Sequence, residues 1–195
     1  MDQLGWGKIR GIKLITVDNI DPVCEAVRMK ANIGWGEPIQ KYCLKNIEIK
    51  IEKGKNNGKL EDLVGNVNNV LMVNQTIKEI ISSFKLACDQ IEYIPFSLKS
   101  SRGKLLSDQL YIINPIGLHD FVHKELSSIR YHMDGGKLSV LAIDKLVLIE
   151  KKMANAPCIF KIEEDPSECF IDIHLARKLQ AAKCENIMVE EIEVK

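Results

Sequence analysis

VLMVNQTIKEIISSF, residues 70–84, changes its period at Asn74. Four consecutive apolar residues, Val70 to Val73, suit a buried strand, whereas beyond Asn74 the apolar residues Ile77, Ile80, Ile81 and Phe84 fall at helical spacing. Asn is a strong N-cap because its side-chain oxygen accepts from the free amides of a first helical turn, so the break reads as a helix start. IEYIPFSL, 91–98, then returns to an extended pattern. The same order recurs further on: CFI (169–171), Asp172 as N-cap, Leu175, Leu179 and Ala182 along a helix, and NIMVEEIEV (186–194) as a strand. Aligning Asn74 with Asp172 also aligns Ile77 with Leu175 and Ile81 with Leu179. An internal duplication and two copies of a common supersecondary unit both account for this, and the small number of identities favours the second.

Outward from these units, LKNIEIKIEK (44–53) alternates apolar and polar residues like a half-buried strand, and the basic KGKNNGK (53–59) breaks it as a turn. SDQLYIINPIGL (107–118) reads as a strand ending at Asn114-Pro115, because the residue before proline is pushed to extended geometry. HDFVHKEL (119–126) is expected to be a short helix. IRYHMDGGKLSVLAIDKLVLIE (129–150) is expected to be a hairpin turning at Asp134-Gly135-Gly136. GWG occurs at 5–7 and 34–36, and both copies read as turns anchored by Trp6 and Trp35. The sum is an α+β fold: mixed or antiparallel sheets, few short helices and two similar strand-helix-strand units. One compact unit over residues 1–195 is expected, with 1–34 the least legible segment.

Composition excludes several classes of function. Apolar residues make up 46% and charged residues 28%, which describes an ordinary folded protein. Basic and acidic residues number 27 each, so no overall field attracts nucleic acid or anionic lipid. The charge is nonetheless uneven: Lys8, Arg10, Lys13, Lys45, Lys50, Lys53, Lys55 and Lys59 crowd the first third, while Glu163, Glu164, Asp165, Glu168, Glu190, Glu191 and Glu193 crowd the last. No basic start followed by an apolar run opens the chain, and no window is long and apolar enough to span a membrane, so a cytoplasmic protein is expected. The six cysteines, Cys24, Cys43, Cys88, Cys158, Cys169 and Cys184, form neither C-x-x-C pairs nor a disulfide pattern, and read as reduced and mostly buried.

HDFVH (119–123) is the nearest approach to a catalytic motif. His119 and His123 would share a helix face and could give a metal two ligands, with Asp120 as base and His132, His174 or a carboxylate as the third ligand. Asp120 is one methylene shorter than the glutamate of the zinc-hydrolase pattern, which withdraws the base by roughly 1.5 Å where a 1 Å displacement can cost about a hundredfold. A metal-dependent hydrolase is therefore the runner-up. DGGK (134–137) lacks the spacing of a phosphate-binding loop, and its glycines are explained by a hairpin turn.

From about Trp35 to Val194 the chain resembles the "immunity protein eleven" family of bacterial polymorphic-toxin systems. The resemblance is carried by an ordered set of segments: VLMVNQTIKEII, IEYIPFSL, LYIINPIGLHDF, AIDKLVLIEKKMANAPCIFKI and FIDIHLARKL. Asn114, Pro115, Asp120, Asp144 and Phe160 mark its most persuasive block; Ser127 falls with Asp120 on a recurring position, and His123 stands where the family usually has a second acid. The resemblance implies a non-catalytic cytoplasmic protein, without cofactor, that binds and neutralises a cognate toxin; a scaffold or regulatory subunit is a third reading. Recognition would fall on exposed charge, loops or strand edges, and the acidic EEDPSE (163–168) is the favoured surface: Glu163, Glu164, Asp165 and Glu168 could imitate phosphate toward a nuclease toxin.

Overall fold

The computed structural model describes residues 5–11, 14–15, 36–40, 47–51, 60–66, 70–84 and 90–195. Trp35, the KGKNNGK turn, the DPVCEAVRMKANI segment and Cys24, Cys43 and Cys88 lie outside them. One six-stranded sheet is built from β2 (Leu14–Ile15), β3 (Ile47–Lys50), β4 (Leu63–Asn66), β5 (Leu71–Asn74), β6 (Ile91–Lys99) and β7 (Leu105–Pro115), in the order β2-β4-β5-β7-β6-β3. The other holds β1 (Trp6–Gly11), β8 (Leu118–His119), β11 (Val147–Leu148), β12 (Ile159–Ile162), β13 (Asp165–Asp172) and β14 (Ile187–Val194), in the order β11-β14-β1-β13-β12-β8. A two-stranded hairpin, β9 (Ser128–Asp134) and β10 (Lys137–Lys145), stands apart from both.

The molecule is mostly β, which corrects the α+β expectation. Its helices α1 (Gln75–Ser82), α2 (Glu150–Met153) and α3 (Ile173–Ala181) are only 8, 4 and 9 residues long. They serve as connections between strands and do not form a layer of their own. HDFVHKEL, expected as a helix, is extended and then turns. GWG at 5–7 is no turn either, because Trp6 and Gly7 open β1. A side chain at Gly7 would come within 2.4 Å of Val189 Cγ1 and 2.9 Å of the Glu190 carbonyl oxygen, so glycine here permits close approach of β14.

Both strand-helix-strand units form with the expected caps. Asn74 Oδ1 accepts from the Ile77 amide at 3.0 Å, and Asp172 Oδ1 accepts from the amides of His174 and Leu175 at 2.7 and 3.2 Å. Their likeness extends to the whole sheets. From β3 to β2 the neighbouring pairs run parallel, antiparallel, antiparallel, antiparallel, parallel. From β11 to β8 the sequence of senses is identical. The chain also visits equivalent strands in the same order: β2, β3, β4, β5, α1, β6, β7 against β8, β11, β12, β13, α3, β14. The final member of the second set is β1, which occupies the place that β7 holds in the first, between the two strands that flank the helix. Two copies of a common strand-helix-strand unit would not extend to six matched strands. The topology is that of a duplication in which the last strand of one copy is supplied by residues 6–11.

Side-chain alternation sorts the core into layers. Leu71, Val73, Ile91 and Ile113 of one sheet join Ile9, Cys169 and Ile171 of the other, together with Ile77, Ile81, Leu175 and Leu179 of α1 and α3, in a single cluster. Met72, Ile94, Phe96 and Ile112 point the opposite way into a second cluster, and Trp6, Phe160, Ile162 and Phe170 into a third. The third lies in the curl of its sheet, whose two edges are bridged by the chain leaving β8. Val122 pairs with Leu148, the His123 amide donates to the Val147 carbonyl at 2.8 Å, and the Ile149 amide donates to that of Phe121 at 2.8 Å. Residues 118–123 thus act as a strap from β8 to β11, leaving neither edge open there.

Candidate protein-binding surface

The strap disposes of the helical pairing of His119 with His123. The His119 ring stacks on Phe121 at 4.7 Å and meets Phe160 edge-on at 5.9 Å, and burial pushes its pKa below the ordinary imidazole value. Asp120 bonds Lys152 Nζ at 2.7 Å, which holds the carboxyl below the usual range and ties the strap to α2. His132 is exposed on β9, and His174 lies in the first turn of α3. Among the described residues no three His, Cys, Asp or Glu side chains come together as a metal-binding group. The shared helix face on which the hydrolase alternative depends does not exist.

The residues of the persuasive block hold the scaffold together. Asn114, buried, donates to the Glu37 carbonyl and to Glu92, both at 2.9 Å, and Glu92 in turn accepts from the amides of Ile39 and Gln40. Phe160 lies at the centre of an aromatic cluster with Trp6, Phe121 and Phe170, at centroid distances of 5.0 to 5.5 Å. Ser127 Oγ accepts from the Val147 amide at 3.0 Å and donates to its carbonyl at 3.2 Å. Asp144 accepts two bonds from Arg130, at 2.9 and 3.0 Å. Ser127, Arg130 and Asp144 together fix the base of the β9–β10 hairpin where it leaves the strap.

The acidic segment forms the turn between β12 and β13 and the start of β13, and its four carboxylates are not equivalent. Glu163 is exposed. Glu164 is buried, its Oε2 meets no hydrogen-bond partner, and desolvation pushes its pKa up. Asp165 and Glu168 lie 3.3 and 3.7 Å from Lys8 Nζ on β1. Arg10 similarly approaches Glu190 at 3.8 Å across the β1–β14 register. Where β1 lies between β13 and β14, the uneven charge of the sequence is compensated within one sheet. A groove of about 320 Å³ lies between α3 and β14, lined by Ile173, Ala176, Cys184, Ile187 and Val189 with Arg177 and Glu191 at its rim.

What sequence reading missed is the apolar surface of the hairpin. It turns through Gly135 and Gly136, whose φ values of 54° and 83° make the two-residue loop that suits strand twist. Register pairs Met133 with Leu138, Tyr131 with Val140 and Ile129 with Ile143 on one face, while His132 with Ser139 and Arg130 with Ala142 take the other. A bulge between Val140 and Ala142 leaves Leu141 without a cross-strand partner. The signal was present in the sequence as IRYHM and KLSVLAI, read only as strands.

A family model described as the immunity protein family (Imm11) matches residues 22–194. The chain belongs to that family. The Imm11 match begins inside the segment 1–34 that sequence reading left unassigned, and β1 places residues still earlier at the centre of a sheet. Among curated proteins none matches this Imm11 chain.

Proposed function

We propose that the protein is a non-catalytic immunity protein that binds a cognate toxin in the cytoplasm and blocks it. The observation that carries this is the match of residues 22–194 to the immunity protein family. The geometry supports it in kind: two braced sheets around a shared core make a stiff body that can present a surface without rearranging. Neutralisation by binding needs a few anchors of high affinity and charges that speed encounter. The acidic turn is assigned to encounter. Glu163 leads it as the exposed carboxylate, with Asp165 and Glu168 behind it, partly offset by Lys8, while the buried Glu164 is left out of it.

Co-expression tests the proposal. Cells producing the toxin domain encoded beside this gene should survive when the protein is present, and the two should purify as a complex. Failure of both rescue and complex formation would refute it. Within that complex, Glu163→Lys should slow association and flatten its dependence on salt, while dissociation changes little. An unchanged association rate would remove the acidic turn from the encounter.

A further inference from the structure

The β9–β10 hairpin exposes the most concentrated set of large apolar side chains among the described residues. Tyr131, Met133, Leu138 and Leu141 are 45%, 62%, 58% and 63% exposed. Apolar side chains on an ordinary loop scatter singly, but Tyr131, Met133 and Leu138 converge by cross-strand register with Val140 beside them. The hairpin is also well anchored. Ile129 packs into the core beneath the strap, Ser127 is bonded to Val147, and Arg130 holds Asp144 with two bonds. We propose that this ribbon face is the surface on which the toxin domain seats, through a complementary protein face that is apolar and uncharged at its centre. The assignment rests on the immunity reading and names the part of the molecule that performs it.

Charge and area select this occupant. Among the described side chains around the ribbon, Arg130 pairs with Asp144 and Lys145 with Glu193, each at 2.9 Å. These pairs present no cluster of unpaired positive charge that would recruit a polyanion or an anionic membrane. Tyr131, Met133 and Leu138, roughly 200 Å² each and about half exposed, present on the order of 300 Å². A second copy meeting the same patch would bury only about 600 Å² in total, the size of a lattice contact and too little for a stable dimer. A partner able to complete an interface of about 800 Å² per side must extend past the ribbon onto the body of the molecule. A folded toxin domain has that reach.

The experiment uses the full chain and the toxin domain encoded beside its gene, made by cell-free synthesis. Met133→Asp and Leu138→Asp should each weaken the complex by about thirtyfold or more, as hot-spot anchors do, whereas Ser139→Asp on the opposite face should leave it nearly unchanged. Amide exchange across 129–143 should slow in the wild-type complex, a readout that does not depend on how any variant folds. If the wild type binds but neither variant weakens it and exchange across the hairpin is unaltered, the hairpin assignment is wrong and the immunity reading stands. If the wild type does not bind, that reading fails and the assignment fails with it. A hairpin-dependent dimer in sedimentation, or hairpin-dependent binding to phosphatidylcholine or phosphatidylserine vesicles, would overturn the choice of occupant.

Discussion

Lys183 follows α3 at φ 56°, in the left-handed region that a β-carbon disfavours. The bonds around it, from the Lys183 amide to the Gln180 carbonyl at 2.9 Å and from the Cys184 amide to that of Leu179 at 3.1 Å, are those of a helix stop usually closed by glycine. Lys183→Gly should therefore raise stability by about 1 kcal/mol, read as a higher midpoint in urea with an unchanged slope. Glu164 gives a prediction in pH. Its folded pKa stands above its unfolded value, so the native state holds the proton more tightly. Its contribution is fully present below the unfolded carboxylate pKa and is lost as pH rises through the folded value. Glu164→Gln should flatten that decline between acid and neutral pH and raise the melting temperature at pH 7 relative to wild type. An identical pH profile in the two proteins would show that the carboxylate is solvated.

Helices α1 and α3 each present a buried pair to the same layer, Ile77 and Ile81 from the first and Leu175 and Leu179 from the second. Ile77→Ala and Leu175→Ala should each cost about 2 to 5 kcal/mol by leaving a cavity, measured by equilibrium denaturation, with little effect on toxin affinity once folded. These elements were legible because two local signals agreed, an N-cap and a helical apolar stripe beginning just after it. The strap shows why such signals can mislead. Leu118, Phe121, Val122 and Leu126 also fall near helical spacing, but Leu118 and Leu126 remain exposed while Val122 is buried against β11. Its extended form is imposed by Val147 and Leu148, more than twenty residues away, and no local pattern encodes that partner. The hairpin's strands and turn could be read from DGG and period-two apolarity. That its apolar face stays uncovered could not, because an apolar strand face ordinarily implies a core.

The two sheets share one core layer, and the loops lock them further. Asp62, beside β4, accepts from Asn74 Nδ2 at 2.6 Å and from the Glu185 amide at 2.7 Å, joining the cap of α1 to the loop after α3. The protein should unfold in one transition, with calorimetric and van't Hoff enthalpies equal. Removal of residues 1–11 should abolish that transition, because it withdraws the strand between β13 and β14 together with Trp6 and Ile9. A shortened chain that still melted cooperatively near the wild-type temperature would show that β1 is an accessory. β1 also sets a schedule for the ribosome. It is made before nearly all of the fold, yet its neighbours are residues 165–172 and 187–194, so at about 5 to 20 residues per second it must wait several seconds or longer for either edge to be covered. The first sheet can be complete on the nascent chain, while the second, which carries the strap and the hairpin, closes only when β14 emerges. Protection against a toxin would thus begin with finished chains, and an interrupted translation product would leave β13 without its central neighbour and both edges of β1 unpaired and open to aggregation instead of offering partial immunity.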